Sequence, residues 1–201
     1  MGEKQVFQPL TREDKTTVVL YRTGIVLSAC LISGLAYLCV TAVSNSSLAP
    51  NSLSADILGY CLYGAVGLSV FFIHLYLSKF KRYLKNLFYF SIGCLAVLIA
   101  VGKGSLTGVV VHEPFGPLLL LPLSGCLGFV TAKEAFCFKL VEGYVLAMFM
   151  PIYLVLVSGK ILTGSGASSG LAMIAILLVL FTLRKVFMPI AFDIGDKSAY
   201  R

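Results

Sequence analysis

Charge is what this sequence has least of. Asp, Glu, Lys and Arg make up 12% of its 201 residues while 58% are hydrophobic, roughly half the charged share of an average soluble chain. So little polar surface cannot coat a water-soluble globule of this size. With a mean hydropathy of +0.93, lipid is the solvent for most of the chain.

Reactive groups are scarce as well. The six cysteines, Cys30, Cys39, Cys61, Cys94, Cys126 and Cys137, form no Cys-x-x-Cys pair, and all but one lie within apolar runs. They read as small packing residues rather than a disulfide framework or a metal site. Gly166-Ala-Ser-Ser-Gly170 has the Gly-x-Ser-x-Gly form, and six spans would suit an intramembrane serine protease of the rhomboid type. Yet no histidine follows Ser168 to act as its base, so the segment reads as a flexible turn before the last span. The chain is accordingly read as non-enzymatic and without a cofactor. Its opening Met-Gly-Glu-Lys-Gln-Val lacks the Ser or Thr that N-myristoylation wants at the sixth position. The first apolar run is longer than the ~7 to 15 residues of a signal-peptide core, and no transit peptide precedes it, which suits a bacterial or plastid-encoded chain.

What the chain does have is long apolar runs, enough for an all-α bundle of six transmembrane helices. The expected spans are Gly24 to Val43, Asp56 to Ser78, Asn86 to Gly102, Phe115 to Ala132, Gly143 to Leu162 and Ser168 to Met188. They form one domain over 11–188, between a mobile leader (1–10) and a polar tail (189–201). Thr11-Arg-Glu-Asp14 has the form of a capping box and predicts a helix start that runs into the first span, with Tyr21 and Arg22 at headgroup level. Between the first two spans, Ser44 to Ala55 is a polar link with Pro50 and an Asn45-Ser-Ser47 triplet that matches a glycosylation sequon only by chance.

The basic residues then sort the ends. Of 16 Lys and Arg, all but Lys103 and Lys160 fall on one set of alternate ends. That asymmetry predicts both termini on the cytoplasmic or stromal side. The net charge of +7 therefore marks orientation and contact with anionic headgroups rather than a nucleic-acid face. Lys79, Lys81, Arg82 and Lys85, interleaved with Phe80, Tyr83 and Leu84, read as the lipid-headgroup anchor, each cation contributing about 1 kcal/mol.

Polar function has one natural seat, the stretch Thr131-Ala-Lys-Glu-Ala-Phe-Cys-Phe-Lys-Leu-Val-Glu-Gly143. Charges at the edge of a span need partners, and ionisable groups there are functional candidates. Glu142 would sit at a helix N-terminus, which stabilises a carboxylate. Glu134 falls near a helix C-terminus, where the dipole repels it, so it calls for Lys133, Lys139 or a cation from another helix. Pro122 and Pro151 would kink the two flanking helices and free the carbonyls of Leu118 and Ala147. Lys133, Glu134, Phe136, Phe138, Lys139 and Glu142 are the candidate contact residues for a partner protein, or the start of a polar path. His74, in Phe71-Phe-Ile-His-Leu-Tyr76, is a packing histidine, with ligation of a haem or pigment as the alternative. Small residues four apart, such as Gly24 and Ser28, Ala65 and Ser69, or Ser124 and Gly128, would let helices approach closely.

Leu20-Tyr-Arg-Thr-Gly24, the Thr131 to Phe138 run with its Lys-Glu-Ala-Phe-Cys-Phe core, and Glu142 resemble an uncharacterised family of integral membrane proteins from cyanobacteria and chloroplasts, with similarity expected from Thr11 onward. The resemblance implies a thylakoid or plasma membrane and, by analogy, an accessory or assembly role in photosynthetic complexes. Its partners would be lipids and other integral membrane proteins, photosystem subunits among them. A small proton- or ion-linked transporter using Glu134 and the proline-kinked helices is the alternative. A continuous polar cavity reaching the midplane would favour transport; Glu134, Phe136 and Phe138 pointing outward or into a closed, paired surface would favour interaction.

Overall fold

A computed structural model describes residues 11–45, 52–75, 78–190 and 193. Among them the chain is helical: α1 (Arg12–Ser44), α2 (Ser52–Phe72), α3 (Ser78–Val101), the short α4 (Leu106–His112), a 3-10 turn (Pro117–Leu120), α5 (Leu121–Phe138), α6 (Val141–Ser158) and α7 (Ser165–Val186). Six of these segments are long and apolar enough to cross a bilayer, the 3-10 turn and α5 forming one of them. The leader, the sequon beyond Asn45 with Pro50, and the tail apart from Pro189, Ile190 and Asp193 lie outside the described residues.

Local chemistry explains the element ends. Thr11 accepts from the Asp14 amide at 3.2 Å while Asp14 accepts from the Thr11 amide at 2.9 Å, a complete capping box. At ~1.5 Å per residue α1 is roughly 50 Å long, well beyond a hydrocarbon core of about 30 Å. Its charged first turns therefore extend past the apolar layer. Between α5 and α6 the chain needs only Lys139, left-handed at φ 54°, and Leu140.

Several expected boundaries move. The fourth span does not stop near Ala132 but stays helical to Phe138, so Lys133 and Glu134 are helix residues and not part of a link. Pro122 sits in the first turn of α5, where a missing N–H costs nothing; the Leu118 carbonyl, expected to be free, accepts from the Leu121 amide. Pro151 does lie inside α6. The second span ends at Phe72, leaving His74 in a non-helical connection. Lys79, Lys81, Arg82 and Lys85 occupy the opening turns of α3, where the positive helix end disfavours cations. Lys85 stands 5.6 Å over the Phe71 ring. The Gly166 to Gly170 segment opens α7 instead of forming a turn before it, with Ser168 donating to Ser165 O at 3.0 Å.

In the bundle, α1 packs on α2 and α7, and α5 packs on α6 and α3. Two of the small-residue pairs meet face to face. Gly24 of α1 lies so close to Ala65 and Ser69 of α2 that a Cβ there would come within 2.3 Å of Ser69 Oγ and 2.7 Å of the Ala65 carbonyl. Gly128 of α5 faces Ala147 of α6, whose carbonyl is the one Pro151 cannot pair. Cross-links at both ends sort the elements. Arg184 and Glu142 pair at one end. At the other, Ser158 donates to Pro114 O and Asp56 accepts from the Thr107 amide. Arg22, which donates to the Val186 carbonyl, places the first part of α1 beside the end of α7, where the basic residues gather.

The α1–α2 approach yields a direct test. Gly24→Val should lower the stability of the purified protein by about 1 to 3 kcal/mol through overpacking, read as a drop in Tm in detergent. Gly64→Ala, at a glycine with nothing within 4 Å of its added Cβ, should leave Tm unchanged.

Candidate functional site

At the basic end, three helices and the tail bring their charged groups to one place. Glu134 of α5, fully buried, accepts at Oε1 from the Tyr21 hydroxyl at 2.7 Å and from Lys133 Nζ at 2.7 Å. Its Oε2 pairs with Lys185 Nζ of α7, which is also fully buried. Lys185 in turn pairs with Asp193. Asp193 receives Arg22 of α1, with Nε to Oδ2 at 2.7 Å and an ion-pair contact at 2.5 Å. The Arg22 guanidinium also donates to the carbonyls of Val186, Met188 and Pro189 at 3.1, 2.6 and 3.2 Å, which fastens the outgoing chain of α7 to α1.

Charge alternates along this cluster: Lys133, Glu134, Lys185, Asp193, Arg22. Each carboxylate lies between two cations, which repays part of the large cost of taking such groups out of water. Aromatic faces line it as well, Lys185 lying 4.0 Å from the Phe138 ring centroid and Lys133 5.5 Å from that of Tyr21. Beside it, Arg184 pairs with Glu142 at 2.6 Å across α7 and α6.

The six candidate residues of the stretch separate into two groups. Lys133 and Glu134 go inward, Phe138 packs against the core, and Glu142 is held by Arg184. Phe136 is 80% exposed, and Lys139 is exposed at the helix cap. Of the cations expected for Glu134, Lys133 and one from another helix supply the pairing, not Lys139. Tyr21 and Arg22 turn inward: Tyr21 is 1% exposed, and both serve the cluster. Lys185 and Asp193 were missed because one looks like a helix-end anchor and the other like a tail residue. Only the fold turns them toward Glu134.

His74 lies near this cluster without entering it. Its Nε2 is 3.2 Å from Thr17 Oγ1, whose proton is directed to the carbonyls of Glu13 and Asp14. The other ring nitrogen, Nδ1, is buried without a hydrogen-bond partner among the described residues. Burial first, then Lys133 and Lys81, hold the imidazole below its usual 6.5 against the opposing pull of Asp193 and Asp14.

A cavity of about 690 Å³ lies toward the opposite end, walled by α1, α2, α5, α6 and α7 with α4 and the 3-10 turn. Among the described residues that line it are Met150 and Tyr153, flanking Pro151, but no member of the charged cluster. No group of three His, Cys, Asp or Glu suited to a metal ion occurs among the described residues, and all six cysteines are free thiols.

One family's sequence model, described as "Uncharacterized integral membrane protein (DUF2301)", matches residues 68–201. The match starts well after Thr11. No curated protein and no solved structure matches the chain.

Removing one partner of a buried pair leaves the other charge uncompensated, so Lys185→Met should cost about 3 to 5 kcal/mol. Glu134→Gln, which leaves Lys185 its pairing with Asp193, should cost about 1 to 3 kcal/mol. Glu113→Gln, at an exposed cap of α4, should be neutral by the same thermal measurement. For His74 the unfolded chain takes up a proton at higher pH than the folded one. Its contribution to stability is complete above 6.5 and is lost as pH falls through the lowered folded value. Tm should fall between about pH 7.5 and about pH 5.5 in the wild type, and less so in His74→Gln.

Proposed function

The chain belongs to this DUF2301 family of integral membrane proteins, whose matched region takes in Lys133, Glu134, Lys185 and Asp193, and on that premise we propose that it is a non-enzymatic accessory or assembly factor that binds other membrane proteins. The observation that carries this reading is the closure of the Glu134 cluster. A carboxylate fully buried between Lys133 and Lys185 pins helices together, and among the described residues it is no part of the cavity wall. What that pinning presents at the surface is Phe136, Lys139 and Val141 around the α5–α6 turn, with Phe187 after α7.

Exposed apolar side chains in a membrane protein face lipid by default. Phe136, however, stands beside an exposed cation at the rim of a rigid ion-paired end. An aromatic anchor with a neighbouring charge is the composition that protein contacts favour. The basic end faces the cytoplasm or its stromal equivalent in this reading, because the Lys and Arg asymmetry favours that side. The resemblance to proteins of cyanobacteria and chloroplasts points to a thylakoid or plasma membrane and to photosynthetic complexes as the setting. The ion-transport alternative loses support from the same geometry: Glu134 and the cavity beside Pro151 lie apart, and the cavity walls are chiefly apolar.

Photo-crosslinking in native membranes tests the proposal. A photoreactive residue in place of Phe136 should capture a small, reproducible set of integral membrane proteins identified by mass spectrometry. The same residue in place of Phe90, exposed on α3, should capture lipid. Identical protein profiles from both positions would overturn the reading, as would a proton flux in reconstituted vesicles that Glu134→Gln abolishes.

A further inference from the structure

The cavity at the end opposite the charged cluster has a chemistry of its own. At about 690 Å³ it falls within the range of sites that enclose a small organic molecule, roughly 300 to 1,000 Å³. Most of its wall is aliphatic, as a site for a hydrocarbon chain requires. Among the hydroxyls along it, two stand out. Tyr63, only 4% exposed, and Ser124 both line the cavity, and neither the Tyr63 OH nor the Ser124 Oγ has a hydrogen-bond partner among the described residues. By contrast, Tyr153 OH is already committed to the Ala167 carbonyl at 2.9 Å and Ser168 Oγ to the Ser165 carbonyl at 3.0 Å.

An unpaired hydroxyl at such depth costs free energy, and serine in a membrane helix normally relieves this by bonding back to its own helix. Ser28, Ser33, Ser44 and Ser91 each do so. Ser124 does not. The two free hydroxyls lie on different helices, α2 and α5, and both are donors. A group that suits such donors in an aliphatic cavity is an oxygen acceptor carried by an apolar body.

We propose that this cavity binds one long-chain lipophile whose carbonyl oxygen accepts hydrogen bonds from Tyr63 and Ser124. The site goes beyond the accessory role and does not depend on it. Lys160 and Glu113, exposed at the cavity wall, place charge at headgroup level, so a chain can enter with its polar end outside. Acyl lipids and isoprenoid quinones share this chemistry.

The test uses the full chain reconstituted in vesicles with two photoreactive probes of matched length: a diazirine-bearing fatty acid methyl ester and the corresponding diazirine-bearing hydrocarbon. The ester probe should label peptides of α2 and α5 within the cavity. In Tyr63→Phe with Ser124→Ala, that labelling should fall roughly tenfold, the effect of removing two hydrogen bonds, while labelling by the hydrocarbon probe stays the same. Both substitutions are nearly isosteric, and an unchanged Tm and gel-filtration profile verifies the fold. Organic extraction of the protein purified from native membranes then separates the sources. A glycerolipid or a prenyl quinone recovered at near one per chain, and lost in the double variant, supports the site and names its class. Ester labelling confined to the lipid-facing surface, labelling unaffected by the double variant, or extracted lipid in the proportions of the bulk membrane would overturn it.

Discussion

The bundle depends on a carboxylate shut away from its surface. Glu134 is completely buried on α5 near the helix end whose dipole repels it, and its acceptance there rests on Lys133 beside it and Lys185 from α7. Ions taken from water lose several kcal/mol of hydration each. The alternation of charge through Asp193 to Arg22 keeps every member between opposite signs. One consequence is geometric: α1, α5, α7 and Asp193 cannot separate at this end without exposing unpaired charge. Lipid supplies no hydrophobic drive for helices to associate, so directional contacts of this kind carry weight that a soluble core would assign to apolar burial.

The other end of the molecule is arranged on the opposite principle. There, α4 and the 3-10 turn cap a mostly apolar space, and the polar contacts are at its margin, Asp56 to the Thr107 amide and Ser158 to the Pro114 carbonyl. Between the two ends, close helix approach is set by small residues, Gly24 against Ala65 and Ser69 and Gly128 against Ala147. The result is a bundle locked by charge at the basic end and open to lipophilic matter at the other.

How much of this was legible beforehand differs from residue to residue. The capping box at Thr11, the helical character and the six spans were readable because each depends on neighbours a few positions away and on one hydrocarbon thickness. The helix-breaking role expected of Pro122 was misread: a proline inside an apolar run looks the same whether it interrupts a helix or begins one, and a 3-10 turn before it decides between the two. Glu134 was recognisable as needing a cation, but the choice among Lys133, Lys139 and a distant helix was open. Tyr21 looked like an interfacial aromatic, and Asp193 like an ordinary tail residue.

The order of apolar and charged residues along the chain determined how many helices cross the membrane and which ends lie together, because partition into a bilayer depends on the local stretch alone. Which lysine meets Glu134, which aromatic ring faces inward and where a cavity remains were decided only by the packed bundle. Those contacts require each helix to take a particular rotation and tilt against others remote in sequence. That rotation is the joint outcome of all the interfaces at once, and no single segment encodes it.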